Sequence, residues 1–185
     1  MVDLSIAIWM SASSRRKRIY TIIAVFIIAV SVTILGSFIP VSAVDAQQIN
    51  KDLNETVTTM QAQGTLVQFI FGNNFLITLV MFIPVIGPVL GLFIMFNTGN
   101  VVGAIAVSGG YSPIIALIAL IITPVFWLEF AAYSTAMAES VWVFRRLLQG
   151  RGIRELRTMS IFVTITAVIL AVGAVIETAL ISVGL

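Results

Sequence analysis

The most constraining feature of this sequence is an uncharged, largely apolar run, 19–39, that directly follows the basic quartet Arg15, Arg16, Lys17 and Arg18. At about 1.5 Å of rise per residue, a helix over this run measures about 31 Å, which matches the hydrocarbon thickness of a bilayer. Basic residues beside a membrane helix mark its cytoplasmic end. We therefore expect 19–39 to cross a membrane and its N-terminus to lie in the cytoplasm.

The residues before this run, 1–18, are expected to form a basic, partly interfacial segment on the cytoplasmic side, since their apolar stretch is too short to span. A cleaved secretory signal peptide is the alternative interpretation, because V-S-A at 41–43 has the small-residue spacing of a cleavage site. The apolar run is too long for a signal peptide, which favours a retained helix.

Composition narrows the class of protein further. The chain is 59% hydrophobic and 10% charged, and a soluble fold could not bury so much apolar surface. It contains no Cys and no His, which excludes thiolate and imidazole metal sites and Cys–His nucleophiles. No phosphate loop or G-x-S-x-G motif is present. We expect an all-α, polytopic transmembrane helix bundle that is not an enzyme and holds no cofactor or metal.

A second basic cluster near the C-terminus predicts the number of crossings. Between 66 and 144 the sequence contains no Lys or Arg, and the cluster that follows consists of Arg145, Arg146, Arg151, Arg154 and Arg157. If both clusters are cytoplasmic, an odd number of spans separates the outer loop from the second cluster. The clustering of these residues at membrane boundaries indicates topology and argues against nucleic-acid binding.

We predict five spans in a single membrane domain, 19–185, with the C-terminus outside. The spans are placed at about 19–39, 66–84, 88–109, 113–144 and 158–182, with an outer loop at 40–65 and a basic cytoplasmic loop at 145–157. A pair of half-helices is the alternative for the two short spans after the outer loop. Within that loop, apolar residues recur at helical spacing and predict an amphipathic helix, and Asn54 begins a glycosylation sequon.

Two carboxylates in the long fourth span are candidate functional residues. The 113–144 segment would measure about 48 Å as one helix, so it must tilt, kink or protrude, and Pro124 predicts a kink or a re-entrant element. Glu129 lies near its centre, where a charge must be protonated, bonded to backbone N–H groups or hydrated. We expect Glu139 to form an ion pair near the boundary with Arg145 and Arg146.

Small and amide-bearing residues are candidates for helix packing. Gly99 and Gly103 are four residues apart, which lets neighbouring helices approach closely. Asn73, Asn74 and Asn97 place amides within or near apolar spans, where each needs a hydrogen-bond partner. Contacts between helices are the expected source of those partners.

Three of these segments together resemble a known family. Residues 70–74 read I-F-G-N-N, 96–99 read F-N-T-G followed by Gly103, and 124–129 read P-V-F-W-L-E. They are similar in order to the I-F-x-N-N, F-N-G and P-H-G-x-x-E elements of the stage II sporulation protein M family of bacterial and archaeal membrane proteins. The resemblance covers about residues 15–180.

The likeness is incomplete at two places. Thr98 is inserted in the second element, and Val125 and Phe126 replace the His and Gly of the third, so no role of that histidine carries over. The resemblance implies a five-span, non-enzymatic membrane protein, and in spore formers the namesake acts with peptidoglycan-degrading partners during engulfment. From this resemblance we expect the same fold and a functional role for Glu129. We do not expect a role in sporulation.

These features lead to one leading hypothesis and two alternatives for function. The leading hypothesis is a non-catalytic subunit or scaffold of a complex in the cytoplasmic membrane, with the lipid bilayer and other membrane proteins, or further copies of itself, as partners. A small transporter or channel component that uses Glu129 is the first alternative. A membrane-embedded hydrolase is the second.

Overall fold

In a computed structural model, the residues described are 14–150 and 152–184, and their regular structure is entirely helical. This confirms the predicted all-α fold class. In chain order the helices are α1 (Ser14–Ser37), α2 (Ala43–Ala62), α3 (Leu66–Met81), α4 (Ile86–Gly109), α5 (Pro113–Ile122), α6 (Pro124–Leu148) and α7 (Gly152–Ser182). The predicted interfacial segment up to residue 13, Arg151 and the side chain of Arg154 lie outside the described residues.

Three helices in the described part of the chain are long and apolar enough to cross a membrane: α1, α4 and the part of α7 from Glu155 to Ser182. The pair α5 and α6 adds a fourth crossing if the two helices together form one span. Helix α3 is apolar but has only 16 residues. The chain is therefore a membrane protein, and five crossings remain a prediction.

The predicted 113–144 span consists of two helices, α5 and α6, that meet at Thr123 with a bend of 84°. Pro124 causes this break, because it has no N–H for the helical hydrogen bond and forces the preceding residue out of the helical region. Thr123 accordingly has extended backbone angles (φ −70°, ψ 138°). Its hydroxyl accepts a hydrogen bond from Phe126 N at 3.4 Å and so caps α6.

The carbonyl groups released at this break find partners within the chain. Thr123 donates to Leu120 O from both its backbone N, at 3.1 Å, and its hydroxyl, at 2.7 Å. The indole of Trp127 donates to Ile121 O at 2.9 Å. Irregular backbone is tolerated at membrane depth only where its polar groups are satisfied, so these bonds stabilise the break as a fixed feature of the fold.

Helical structure extends further than the apolar runs predict. Helix α1 includes the basic quartet, and the predicted basic loop at 145–157 is largely helix because α6 continues to Leu148 and α7 begins at Gly152. The predicted outer loop at 40–65 contains the 20-residue helix α2. Hydropathy marks only the part of a helix that is apolar, whereas backbone hydrogen bonding continues through polar turns.

The helices alternate in direction between two ends of the bundle, which we call the Arg18 end and the Ser37 end after residues of α1. Helix α4 runs toward the Ser37 end, since Gly91 lies against Met137 of α6 and Gly103 against Ser37. Helix α7 runs the same way, because Glu155 in its first turn contacts Arg18.

Helices α3 and α5–α6 run in the opposite direction. Helix α3 begins at Leu66, which packs with residues near the C-terminus of α7, and the turn after it accepts a hydrogen bond at Ile83 O from Ser140 of α6, at 2.6 Å. Along α5–α6, Leu117 packs in a cluster with Ile34, the ring of Trp127 stacks on Phe26, and Trp142 donates to the hydroxyl of Thr21, at 3.2 Å. These contacts order α5 and α6 from the Ser37 end toward the Arg18 end, with the 84° bend between them.

Helix α2 covers the Ser37 end of the bundle. The hydroxyl of Ser42 accepts a hydrogen bond from Asp45 N at 3.1 Å and caps its N-terminus. Val57 and Met60 on its inner face pack near the start of α3, and Asn50 donates to Ser108 of α4, at 3.1 Å. The predicted amphipathic helix therefore lies against the bundle.

Candidate functional site

The first candidate site is a polar contact among three apolar helices, centred on Glu129. Glu129 lies in the second turn of α6, six residues into the helix that Pro124 begins. Its carboxylate accepts a hydrogen bond from the side-chain amide of Asn74 on α3. Glu177 of α7 is near enough for the two carboxylates to interact electrostatically, and Tyr133, one turn further along α6, interacts with both.

The sequence suggested a proton, backbone N–H groups or water as partners of Glu129, and the structure adds the side-chain amide of Asn74. The backbone N–H groups after Pro124 do not bind the carboxylate, because the side chain points from the second turn of α6 toward α3. A carboxylate at this depth needs a donor or a proton, and Asn74 provides the donor. Chemically, the Asn74–Glu129 bond joins α3 to α6 inside the bundle.

The second candidate site is a network of charged residues at the Arg18 end. Glu139 has a fully buried carboxylate, and Arg18 Nε of α1 lies 3.3 Å from its Oε1. The predicted ion pair of Glu139 therefore forms, but its partner is Arg18 and not Arg145 or Arg146. Those arginines lie on the same helix, more than one turn further along, whereas α1 brings Arg18 across to the carboxylate.

Arg18 is shared between two acidic residues. Its guanidinium also forms an ion pair with Glu155 of α7, and Arg146 Nε lies 3.9 Å from the other carboxylate oxygen of Glu155. Trp142 packs in the same network, and the guanidinium carbons of Arg18 and Arg145 lie 5.4 Å from its ring centroid. Cation–π contacts of this kind favour a desolvated guanidinium. The network therefore joins α1, α6 and α7 at one end of the bundle.

The basic residues that predicted topology are distributed around this network. Arg15 is exposed in the first turn of α1, Arg145 and Arg146 lie in the last turn of α6, and Arg157 is exposed on α7. Arg16 and Lys17 also belong to the first turns of α1. The described members of both clusters therefore lie at the Arg18 end, as expected if they share one side of a membrane.

The candidate packing glycines lie where α1 and α4 are in backbone contact. A Cβ on Gly99 would overlap the carbonyl oxygen of Thr33, and one on Gly103 would lie 2.5 Å from that of Ser37. Gly36 of α1 approaches the carbonyl oxygen of Phe96 in the same way. The Thr33 hydroxyl shares its hydrogen between Ala29 O of its own helix, at 3.0 Å, and Met95 O of α4, at 3.1 Å. Small residues on both helices thus allow this close approach.

Of the three predicted amides, only Asn74 binds another helix. Asn73 and Asn97 are exposed on the outside of the bundle. The Asn97 amide donates to Phe93 O of its own helix, at 2.8 Å, and the Asn73 amide lies 3.4 Å from Oδ1 of Asn74. Among these amides and within the described residues, only Asn74 therefore has the expected partner on a neighbouring helix.

Three residues described above were not predicted from the sequence as site residues: Ser140, Tyr133 and Glu155. Ser140 binds the turn after α3 and carried no sequence signal, because a single serine in an apolar helix has many uses. Glu155 carried a signal, since it is the only acidic residue among the arginines of 145–157 and the basic quartet was predicted to lie on the same side. No group of three or more His, Cys, Asp or Glu side chains that could hold a metal ion occurs among residues 14–150 and 152–184.

Comparison with known proteins adds no identification. No protein-family model, curated protein or solved structure matches this chain. The resemblance to the stage II sporulation protein M family therefore stays a prediction, and the function has to be argued from the residues of this chain.

Proposed function

We propose that the chain crosses the cytoplasmic membrane five times, with its N-terminus and the Arg18 end on the cytoplasmic side and its C-terminus outside. The alternation of α1, α3, α4, the α5–α6 pair and α7 supports five crossings. Collection of the basic residues at one end supports the orientation. Helix α3, at about 24 Å, crosses by local thinning of the bilayer or by burial among its neighbours.

The absence of cysteine makes this topology directly testable. Gln47 in α2 and Gln149 after α6 are exposed at opposite ends of the bundle. We expect Gln47→Cys to react with a membrane-impermeant maleimide in intact cells, and Gln149→Cys to react only after permeabilisation. Reaction of both variants in intact cells would contradict the proposed orientation.

Within that membrane, we propose that the protein is a non-catalytic subunit that assembles with other membrane proteins or with copies of itself. The observation that carries this proposal is the position of the two exposed amides. Asn73 is the eighth of the 16 residues of α3, and Asn97 is the twelfth of the 24 residues of α4, so each lies at the midpoint of an apolar helix.

An amide at that depth has unsatisfied hydrogen-bonding capacity if it faces lipid. Asn97 uses one N–H on its own helix, and its Oδ1 accepts no hydrogen bond within the part of the chain that the structure describes. Leaving such a group in hydrocarbon costs several kcal/mol, on the order of 2–7, whereas a polar side chain of a neighbouring transmembrane helix would satisfy it. Outward amides at mid-depth therefore favour a partner helix over lipid.

Affinity purification in mild detergent, followed by native mass spectrometry, tests this proposal. The wild-type protein is expected to carry stoichiometric foreign subunits or a fixed number of its own copies. Asn73→Leu and Asn97→Leu preserve side-chain size and remove the amide, and we expect at least one of them to reduce the assembled fraction severalfold.

A matched control tests whether the loss of any exposed polar side chain on an apolar helix reduces assembly. Thr164 is also exposed on an apolar helix, but its hydroxyl donates to Ser160 O of its own helix, at 3.0 Å, and needs no partner. Thr164→Val should leave the assembled mass unchanged. A wild-type protein that purifies alone as a monomer would refute the assembly proposal.

A transporter or channel component is the second candidate, and Glu129 is the observation that favours it. A carboxylate near a broken helix at membrane depth is a common arrangement in proton and ion pathways. Glu177 would supply the second carboxylate of a relay. If the protein is a transporter, the hydrogen bond from Asn74 orients Glu129 for proton exchange. If the protein is only an assembly subunit, the same bond only joins α3 to α6.

Flux in proteoliposomes distinguishes the two candidates. If the protein transports protons or a proton-coupled solute, Glu129→Gln should abolish the flux, while Glu55→Gln in the exposed part of α2 should leave it unchanged. Equal flux in wild-type and Glu129→Gln vesicles would exclude Glu129 as part of a pathway.

A further inference from the structure

A cavity of about 410 Å³ opens at the Arg18 end among α1, α6 and α7. Three arginines line it, Arg15, Arg18 and Arg146, against one carboxylate, Glu155. Arg18 is already paired with Glu139 behind the cavity wall and with Glu155. The net charge of the residues that line the cavity is therefore positive, even when Glu139 is counted with them.

One polar group in this wall lacks a partner. Arg146 Nε is buried and makes no hydrogen bond, and its distance of 3.9 Å to Glu155 exceeds hydrogen-bonding range. The other side of the same guanidinium donates to Gln149, at 3.0 Å. A buried N–H without an acceptor is costly, so a ligand oxygen at this position would satisfy it.

The cavity lining places aromatic rings beside guanidinium groups. On α7 its wall is formed by Glu155, Thr158 and Phe162, which are spaced at three and then four residues and so lie on one face of the helix. The Phe162 ring centroid lies 5.7 Å from the guanidinium carbon of Arg18, and Trp142 forms a second aromatic wall beside Arg146. An amphiphile with an anionic head and an adjoining apolar part matches this lining.

We propose that this cavity binds the phosphate headgroup of an anionic phospholipid in the cytoplasmic leaflet, with Arg15 and Arg146 contacting the phosphate and Phe162 the start of the acyl region. The inference rests on the proposed placement of the Arg18 end at the cytoplasmic surface. A cavity of this volume falls within the range of small-ligand sites, and basic pockets between membrane helices are suited to such headgroups.

Native mass spectrometry of the purified full chain, titrated with phosphatidylglycerol or with phosphatidylcholine, tests the proposal. Wild-type protein should retain phosphatidylglycerol in preference to phosphatidylcholine. Arg146→Gln removes a charge-assisted contact and is expected to weaken phosphatidylglycerol binding about tenfold. Arg15→Gln should act in the same direction and, being an exposed substitution, should not disturb folding, so it decides the question if Arg146→Gln is unstable.

Arg157→Gln is the matched control, because it removes the same charge from an exposed position on α7 outside the cavity wall. It should change phosphatidylglycerol binding by no more than about twofold, the level of a screened surface charge. Equal losses in all three variants, or equal binding of the two lipids, would overturn the proposal. If inorganic phosphate displaced the lipid, the ligand of this cavity would be a soluble phosphate compound and not a phospholipid.

This measurement is independent of the other proposals. The assembled mass depends on Asn73 and Asn97, which lie far along the helices from the cavity, and the cysteine-labelling experiment tests the orientation separately. A protein that assembles and has the proposed topology but binds both lipids equally would contradict this inference alone.

Discussion

Helix α1 packs against its neighbours in two different ways along its length. Toward the Ser37 end it lies on α4 with backbone against backbone, through Gly36, Gly99 and Gly103, and no charged side chain takes part among the contacts described. At the Arg18 end it meets α6 and α7 through long charged side chains, with Arg18 between Glu139 and Glu155.

The difference follows from the surroundings of each contact. In the apolar middle of a membrane protein, burial of apolar surface gives little advantage over contact with lipid, so close van der Waals packing of small residues has to hold helices together. Near the end of the bundle, water and neighbouring charges lower the cost of an ion pair. We therefore expect the two contacts to respond to different substitutions.

The largest expected effect is at the Arg18 end. Arg18→Gln would leave Glu139 fully buried without its cation, and breaking a buried pair in this way costs about 3–5 kcal/mol. The free energy of unfolding, measured by tryptophan fluorescence during titration with dodecyl sulfate, should fall by that amount. Arg15→Gln, a substitution of the same kind at an exposed position, should change it by less than about 0.5 kcal/mol.

A second substitution sharpens this prediction. When Glu139→Gln is added to Arg18→Gln, the buried charge disappears and part of the lost stability should return, because the penalty arises from the unpaired carboxylate. Additive losses in the double variant would show that Arg18 acts through Glu155 or Trp142 and not through Glu139.

The next largest effect is expected at the glycine contact. Gly99→Ala would press a methyl group against the Thr33 carbonyl, so α1 and α4 must separate, at a cost of about 1–3 kcal/mol. Gly72→Ala is the control, since no atom lies within 4 Å of the added methyl group and alanine favours the helix by up to about 1 kcal/mol. Equal unfolding free energies for the two variants would contradict the backbone contact.

The smallest effect concerns the hydrogen bond that accompanies this contact. Thr33→Val removes the donor to Met95 O and retains the shape of the side chain, and such bonds between membrane helices average about 0.6 kcal/mol. Ser31→Ala, which removes an exposed hydroxyl bonded only to Ile27 of its own helix, should have no measurable effect. A loss for Thr33→Val as large as that for Gly99→Ala would mean that hydrogen bonding, and not close packing, holds α1 to α4.

Some features of the candidate sites could be predicted from sequence patterns, and others could not. A kink at Pro124 was predictable, because the missing N–H is a local property of proline, but its angle of 84° depends on how α5 and α6 pack on α1. Glu139 was expected to need a cation, which the sequence offered at several arginines. That Arg18 is the partner of Glu139 depends on which helix packs against α6, and the sequence does not give this.

The pairing of Asn74 with Glu129 illustrates the same limit. The sequence marked both as polar residues at membrane depth, and the adjacent Asn73 was equivalent to Asn74 by that criterion. Only the rotation of α3 about its axis turns Asn74 toward α6 and leaves Asn73 on the outside. Adjacent residues on a helix point about 100° apart, so a small rotation exchanges their roles.

The sequence by itself determined that this is an all-helical membrane protein, because an apolar run of about 20 residues has the length of a helical span, and a helix satisfies its backbone hydrogen bonds within the run. It also determined which residues would need partners, since burial of amides and carboxylates is costly wherever they lie. Tertiary structure alone decided which partners they have, that the fourth predicted span bends by 84°, and that three arginines line one cavity. Those outcomes depend on helix rotation and separation, which short-range patterns do not encode.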